Sequence, residues 1–232
     1  MDRREFARVA AALAAGAGLV RIATADGPGA MRRYLTRIRR DLARVQAEQL
    51  DVIVAAGDLL AERVAAGGRL LIHDARGEYV AEALGRAGGL MGISAVGADQ
   101  AATIQPQDAL LVIADEPANP ADVALTTAAH AAGALVVGIC PQRDRAGALW
   151  QAVYVRIDNY VTDEDAAVTV DGVAMAPTSG VLNTALLWAV TAAYIQAMEK
   201  RGKPPHVWMS IKRPGSKAFN DAALAATREA GC

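Results

Sequence analysis

Apolar and polar positions change rhythm twice along this chain. Over residues 30–65, Tyr34, Ile38, Leu42, Val45 and Leu50 recur at spacings near three to four, with arginines on the opposite face. That spacing predicts a long amphipathic helix, stopped by Gly67-Gly68. From residue 69 the pattern becomes short apolar runs: "RLLIH" (69–73), "MGISAV" (91–96), "ALLVIA" (109–114), "ALVVGIC" (134–140) and "AVYVRI" (152–157). Runs of this length, apolar on both faces, read as buried parallel strands. Helical stretches at 78–87 and 119–132 lie between them. A long helix follows at 176–202, an extended segment "HVWMSI" comes after Pro204-Pro205, and a last helix lies near 217–230. Alternating strand and helix predicts an α/β fold: a three-layer sandwich around a five-stranded parallel, flavodoxin-like sheet, preceded by a long helical segment.

In open α/β sheets ligands sit beyond the carboxyl ends of the strands, where the winding reverses. With five strands in the flavodoxin-like order, the turns after the first and third strands flank that crevice. Those turns are "HDARGE" (73–78) and "ADEPAN" (114–119). Asp74, Asp115 and Glu116 there read either as acceptors for ligand hydroxyls or amines, or as acids favoured near a helix start by its dipole. Asn119-Pro120 is a good N-cap and first-turn pair. Arg76, with Gly77 beside it, reads as an anion-binding group or as the partner of a nearby acid. His73 reads as a satisfied structural histidine. Thr178 and Ser179 cap the 176–202 helix, whose start also offers a place for an anion or a sugar hydroxyl. Lys212, Arg213 and Lys217 read as a solvated basic loop, with closure over a ligand as the alternative.

Composition narrows the choice. The 232 residues are 53% hydrophobic, 21% charged and 4% aromatic, which suits one soluble globular domain with an aliphatic core. A formal net charge of −1 and the lack of a long basic run argue against nucleic acid as a partner. Cys140 and Cys232 have neither metal-ligand nor disulfide-framework spacing. No carboxylate spacing points to a metal, and no cofactor motif is present.

The first 25 residues read as an export signal. Arg3-Arg4 precede Phe6, a weakly apolar segment over residues 9–20 is too short to span a bilayer, and Ala23-Thr24-Ala25 fits a cleavage site. "RREF" resembles the twin-arginine signal, whose route exports folded proteins. A retained amphipathic helix is the alternative. If the signal is used, residues 26–33 form a flexible joint, the domain spans 34–232, and the protein is periplasmic or otherwise exported; if not, it is cytoplasmic. No stable membrane span is expected.

Three stretches carry a resemblance to a known family: "LAERVAAGGRLLIHDARGEYVAEALGRAGGLMGI", "APTSGVLNTALLWAV" and "RGKPPHVWMSIKRPG". Together they resemble the SIS (sugar isomerase) domain of phosphosugar isomerases and phosphosugar-sensing regulators, and most of all a small uncharacterised SIS subfamily of similar length. The likeness covers roughly residues 34–230. It implies a carbohydrate-derivative ligand and a homodimer, since SIS sites are commonly built at subunit interfaces. It also implies Glu82, in a Glu-x-x-Gly-Arg context, as the acid/base of an aldose–ketose isomerisation; an i,i+4 pair with Arg86 is the other reading. The chain departs from the family at its phosphate turns. Ser-x-Ser-Gly after the third strand is replaced by Ala114-Asp115-Glu116-Pro117, which removes two hydroxyls and an N–H and adds two negative charges. A carboxylate at about 4 Å from a phosphate charge costs about 4 kcal/mol at an effective dielectric near 20. The expectation is a pocket for an unphosphorylated sugar, with isomerisation through Glu82 as one version. The alternatives are a catalytically silent SIS protein and a phosphosugar isomerase whose cradle has been rebuilt from Arg76 and the 178–179 helix start.

Overall fold

A computed structural model describes residues 29–144 and 146–229; the signal read at residues 1–25 lies outside them. The chain begins with α1 (Gly29–Glu48) and α2 (Leu50–Ala65), nearly one continuous helix distorted at Gln49. The distortion has a local reason: the Gln49 side chain turns inward and donates to the Tyr160 hydroxyl at 3.0 Å. Because α1 starts at Gly29, residues 29–33 are its first turns and not the joint expected there. Then come β1 (Leu70–His73), α3 (Glu78–Ala83), β2 (Ile93–Ala95), a 3₁₀ turn (Ala98–Thr103), β3 (Ala109–Ile113), α4 (Pro120–Ala131), β4 (Leu135–Cys140), α5 (Ala148–Ala152) and β5 (Val155–Asp158). A short hairpin, β6 (Val168–Val170) and β7 (Val173–Met175), precedes α6 (Ser179–Lys200) and α7 (Ser216–Glu229).

All five main strands pair in parallel in the order β2-β1-β3-β4-β5, the flavodoxin-like winding that the sequence predicts. Side chains alternate between two cores, as strand periodicity requires. Leu70, Ile72, Leu111 and Ile113 face α2 and α6 on one side, while Leu71, Leu110 and Val112 face Leu125 and Ala129 of α4 on the other. On the first side α2 and α6 lie very close: a Cβ on Gly57 would stand 2.6 Å from the Ala193 backbone, so only glycine fits there. Among the described residues one helix, α6, is long and apolar enough to cross a membrane, and half of its apolar stretch is buried in the fold.

The α3 helix is shorter than the 78–87 expected. Leu84 turns extended, and Gly85 and Gly88 take φ of +72° and +85°, a conformation that no helix continues through. The loop this creates is held by the C-terminal segment. Gly88 N donates to Trp208 O at 2.7 Å, and Leu90 bridges to Val207.

Candidate functional site

The turns after β1 and β3 meet over the carboxyl end of the sheet and enclose a crevice lined by Asp74, Arg76, Tyr79, Asp115, Glu116 and Asp122, among others. Asp74, at the β1 end, is buried, and its carboxylate turns back onto its own loop. Oδ1 accepts from Arg76 N at 3.0 Å and Glu78 N at 3.1 Å, and Oδ2 from Val80 N at 2.7 Å. The N–H groups at the start of α3, which would otherwise face an incoming anion, are thereby satisfied from within the chain. Gly77 is the left-handed residue that starts α3, at φ +74°.

Asp115 reaches inward from the β3 end. Its Oδ1 accepts from Asn183 Nδ2 at 2.6 Å and from the Tyr79 hydroxyl at 3.1 Å. Asn183 in turn accepts from Asn159 Nδ2 at 2.9 Å, which also donates to Ala114 O at 3.0 Å. A buried polar chain therefore ties α3, β3, β5 and α6 together beneath the crevice. Burial pushes the Asp115 carboxyl above the usual range, and the bond from Tyr79 with the nearby Arg76 charge does not fully reverse it. Burial likewise pushes the Tyr79 phenol up to about 12, so it stays a hydrogen-bond donor.

Arg76 spans the mouth of the crevice with a 57% exposed side chain, 3.7 Å from Asp115 Oδ2 and 3.3 Å from Glu116 Oε1. Asn119 caps α4, its Oδ1 accepting from Ala121 N at 3.0 Å and Asp122 N at 3.4 Å. Behind it lies a buried pair. His73 Nδ1 stands 2.9 Å from Val96 O, and Nε2 stands 3.1 Å from Asp122 Oδ1 without hydrogen-bond alignment. Burial pulls the His73 pKa down, but Asp122, the Val96 carbonyl and Asp74 together outweigh it and leave it raised. Asp122 is thus the histidine's partner and part of the crevice wall.

The start of α6 is also filled from within. Asp165 Oδ1 accepts from Thr178 N at 2.9 Å, Thr178 Oγ1 at 3.2 Å and Ser179 N at 3.0 Å, and Oδ2 accepts from Ser179 Oγ at 2.6 Å. Thr178 and Ser179 therefore do not cap the helix by themselves; a carboxylate from the preceding loop does it for them. Glu82 is not among the residues lining the crevice. Its Oε2 is 2.6 Å from Arg86 Nη2 and its Oε1 accepts from Trp188 Nε1 at 3.2 Å. The side chain is held on the flank of α3 because Arg86 follows one turn later and α6 presents Trp188 beside it. Lys217 pairs with Asp221 on its own helix at 2.5 Å. Among the described residues no group of three or more His, Cys, Asp or Glu is placed to hold a metal.

The family described as "Domain of unknown function (DUF2529)" matches residues 34–165, more than half of the chain. The chain belongs to the DUF2529 family. Two relatives are UPF0309 proteins. The one from Geobacillus thermodenitrificans is 31% identical over 128 residues, 50% of this chain and 51% of its own. The one from Geobacillus kaustophilus is 25% identical over 228 residues, 82% of this chain and 91% of its own. The chain thus spans about half the length of the first and most of the second. A solved structure from Silicibacter pomeroyi DSS-3, described as a "putative phosphosugar isomerase", superposes with a TM-score of 0.51 at 19% identity, covering 84% of this chain and 55% of that one. At that identity the likeness concerns the fold, which is the SIS fold expected from the sequence.

In this DUF2529 chain the crevice brings together Asp74, Arg76, Asp115, Glu116 and Asn119, and leaves Glu82 outside. Three further participants carry weak local signals. Asn183 is a polar residue inside an apolar helical run, Tyr79 is one of few aromatics, and Asp165 stands in the acidic stretch "TDEDAA". For Asn159, directly after a strand, no local pattern marks a role.

Proposed function

We propose that this protein binds an unphosphorylated carbohydrate derivative in the crevice between the ends of β1 and β3. One observation carries the reading. Asp74 takes one backbone N–H group of the turn after β1 and two at the start of α3, and Asp165 takes two N–H groups and two hydroxyls at the start of α6. A phosphate would have to displace one of these carboxylates or lie beside it, at a cost set by like charges at contact distance. Acceptor groups suit sugar hydroxyls instead. Export, as read from residues 1–25, accords with this, because outside the cytoplasm sugars are met mostly without phosphate. Isomerisation through Glu82 is the weaker version. Its two oxygens are engaged by Arg86 and Trp188, which favours a catalytically silent binding protein as the second reading.

A homodimer belongs to the proposal. It is supported by Met31 and Leu35 on α1 and Leu50 and Val54 on α2, all more than half exposed. Light scattering coupled to size exclusion gives a dimer mass if it is right and a monomer mass if it is wrong.

The deciding experiment is a thermal-shift screen of the full chain with neutral sugars, amino sugars and sugar phosphates. Ligand that binds only the folded state raises its stability by RT ln(1 + [L]/Kd), so weak binders register at high concentration. Shifts with unphosphorylated sugars support the reading. Shifts confined to sugar phosphates, or none with any sugar, overturn it.

A further inference from the structure

The crevice is small, and it keeps carboxylate oxygens that its own chain does not fully engage. Its free volume is about 20 Å³, room for one water-sized group. Several of its polar groups are already engaged. Asp74 is saturated by three amides, Asn119 Oδ1 by two, and the Tyr79 hydroxyl donates to Asp115. Acceptors remain. Asp115 Oδ2 has Arg76 at 3.7 Å, beyond hydrogen-bond distance, and Glu116 accepts one bond, from Arg76 Nη2 at 3.3 Å, which leaves its other oxygen open. Asp122, 2% exposed, holds Oδ1 buried in the crevice wall without an aligned donor.

Among the described residues lining the crevice, Arg76 is the one cation. Its guanidinium, exposed on the solvent side, donates to Glu116 Oε1 at 3.3 Å and stands 3.7 Å from Asp115 Oδ2 without a bond to it. It acts as an internal stand-in: a positive donor group held loosely over a set of carboxylates by the chain itself. A group that matches the leftover capacity must be about the size of a water, cationic, and rich in donors with no acceptor. A primary ammonium has these properties; a hydroxyl brings one donor, and a phosphate or carboxylate brings none.

We infer that the crevice takes a primary ammonium group, carried on a small unphosphorylated sugar, between Asp115, Glu116 and Asp122, and that this group displaces the Arg76 guanidinium. The inference rests on the carbohydrate reading of the crevice and specifies which sugars fill it: free amino sugars. The raised pKa of Asp115 is consistent with it, since a buried carboxylate short of positive partners gains most from an added cation.

The test is calorimetric titration of the full chain with D-glucosamine, D-glucose, N-acetyl-D-glucosamine and D-glucosamine 6-phosphate, at about pH 6.5 where such an amine is largely protonated. Glucosamine is expected to bind about tenfold or more tighter than glucose and N-acetylglucosamine, because acetylation removes the charge and two of the donors. Glu116→Gln and Asp115→Asn are expected to shrink that preference to within about threefold while the variants stay folded. Arg76→Ala, a change at an exposed side chain, removes the internal competitor and is expected to raise the preference for glucosamine over glucose about threefold. Equal binding of glucose, N-acetylglucosamine and glucosamine overturns the ammonium site and leaves the carbohydrate reading standing. Binding confined to glucosamine 6-phosphate, or no binding at all, overturns both.

Discussion

Two aspartates bracket β3, and the fold treats them in opposite ways. Asp108, before the strand, is 1% exposed and receives Arg69 N at 2.9 Å, Gln105 N at 2.8 Å and the Arg69 guanidinium at 2.6 Å. Burial alone would raise its pKa, but these donors more than reverse it, and the carboxyl lies below the usual range. Asp115, after the strand, is also largely buried, and its donors do not reverse the effect of burial. The amino edge of the sheet is electrostatically complete, whereas the carboxyl edge keeps unspent acceptor capacity. A group left short of partners costs stability and is what a ligand can complete, which is why the proposed function puts binding at the incomplete edge.

The largest effect is expected at the complete edge. Asp108→Ala strands two backbone N–H groups and a guanidinium, and should lower unfolding free energy by about 2–4 kcal/mol in urea titrations without altering sugar binding. The pH dependence follows from the lowered pKa. Asp108's contribution is present above its unfolded value of about 3.9 and is lost as pH falls through the lower folded value. A mild loss, or one that carries sugar affinity with it, would break the contrast between the edges.

Asp165→Ala should cost about 1–2 kcal/mol by uncapping α6. It should also give a phosphate-dependent thermal shift larger than that of the native chain, because the N–H groups of Thr178 and Ser179 become free. Lost stability without a phosphate response would leave the cap intact as a finding and remove its bearing on ligand choice.

Asp115→Asn should do the reverse of Asp108→Ala: it should stabilise the protein by about 0.5–1 kcal/mol at neutral pH and weaken sugar binding. Since the folded pKa is raised, the favourable contribution of Asp115 is present below its unfolded value and lost as pH rises through the folded one. The gain from asparagine should therefore fade when the same denaturation is run near pH 4. A destabilised variant at neutral pH would show that the Tyr79 and Asn183 bonds outweigh the buried charge.

The smallest effect is expected at Glu82. Glu82→Gln loses an i,i+4 pair with an exposed Arg86 and should change stability by only about 0.3–0.5 kcal/mol, with sugar affinity unchanged. Loss of a sugar turnover in this variant would restore Glu82 as the acid/base and defeat the silent reading.

Much of this was legible in the chain. The five strands lie where short apolar runs stand, and the turns at 73–78 and 114–119 meet at the crevice because a flavodoxin-like winding sets β1 beside β3. Asp74, Arg76, Asp115, Glu116 and Asn119 were found there by position alone. The start of α6 was legible only in half: Thr178 and Ser179 look like a cap, but the group that caps is Asp165, more than ten residues earlier. The β6–β7 hairpin and the early end of α3 were also not legible. One consists of two three-residue strands, too short for periodicity to register, and the other depends on the left-handed turns at Gly85 and Gly88, the second held by Trp208 of the C-terminal segment.

The sequence by itself determined which stretches are buried, and therefore the strands, the helices and the ends where polar turns collect. Burial leaves a periodic trace along the chain, because side chains of one element face one side at regular intervals. The tertiary structure alone decided which polar group meets which. Asp115 finds Asn183 across 68 positions, Tyr160 finds Glu48 across 112, and Asp74 turns back on its own loop. A hydrogen bond is set by distances of about 3 Å between atoms. Contacts on that scale between remote residues leave no periodic trace in the sequence.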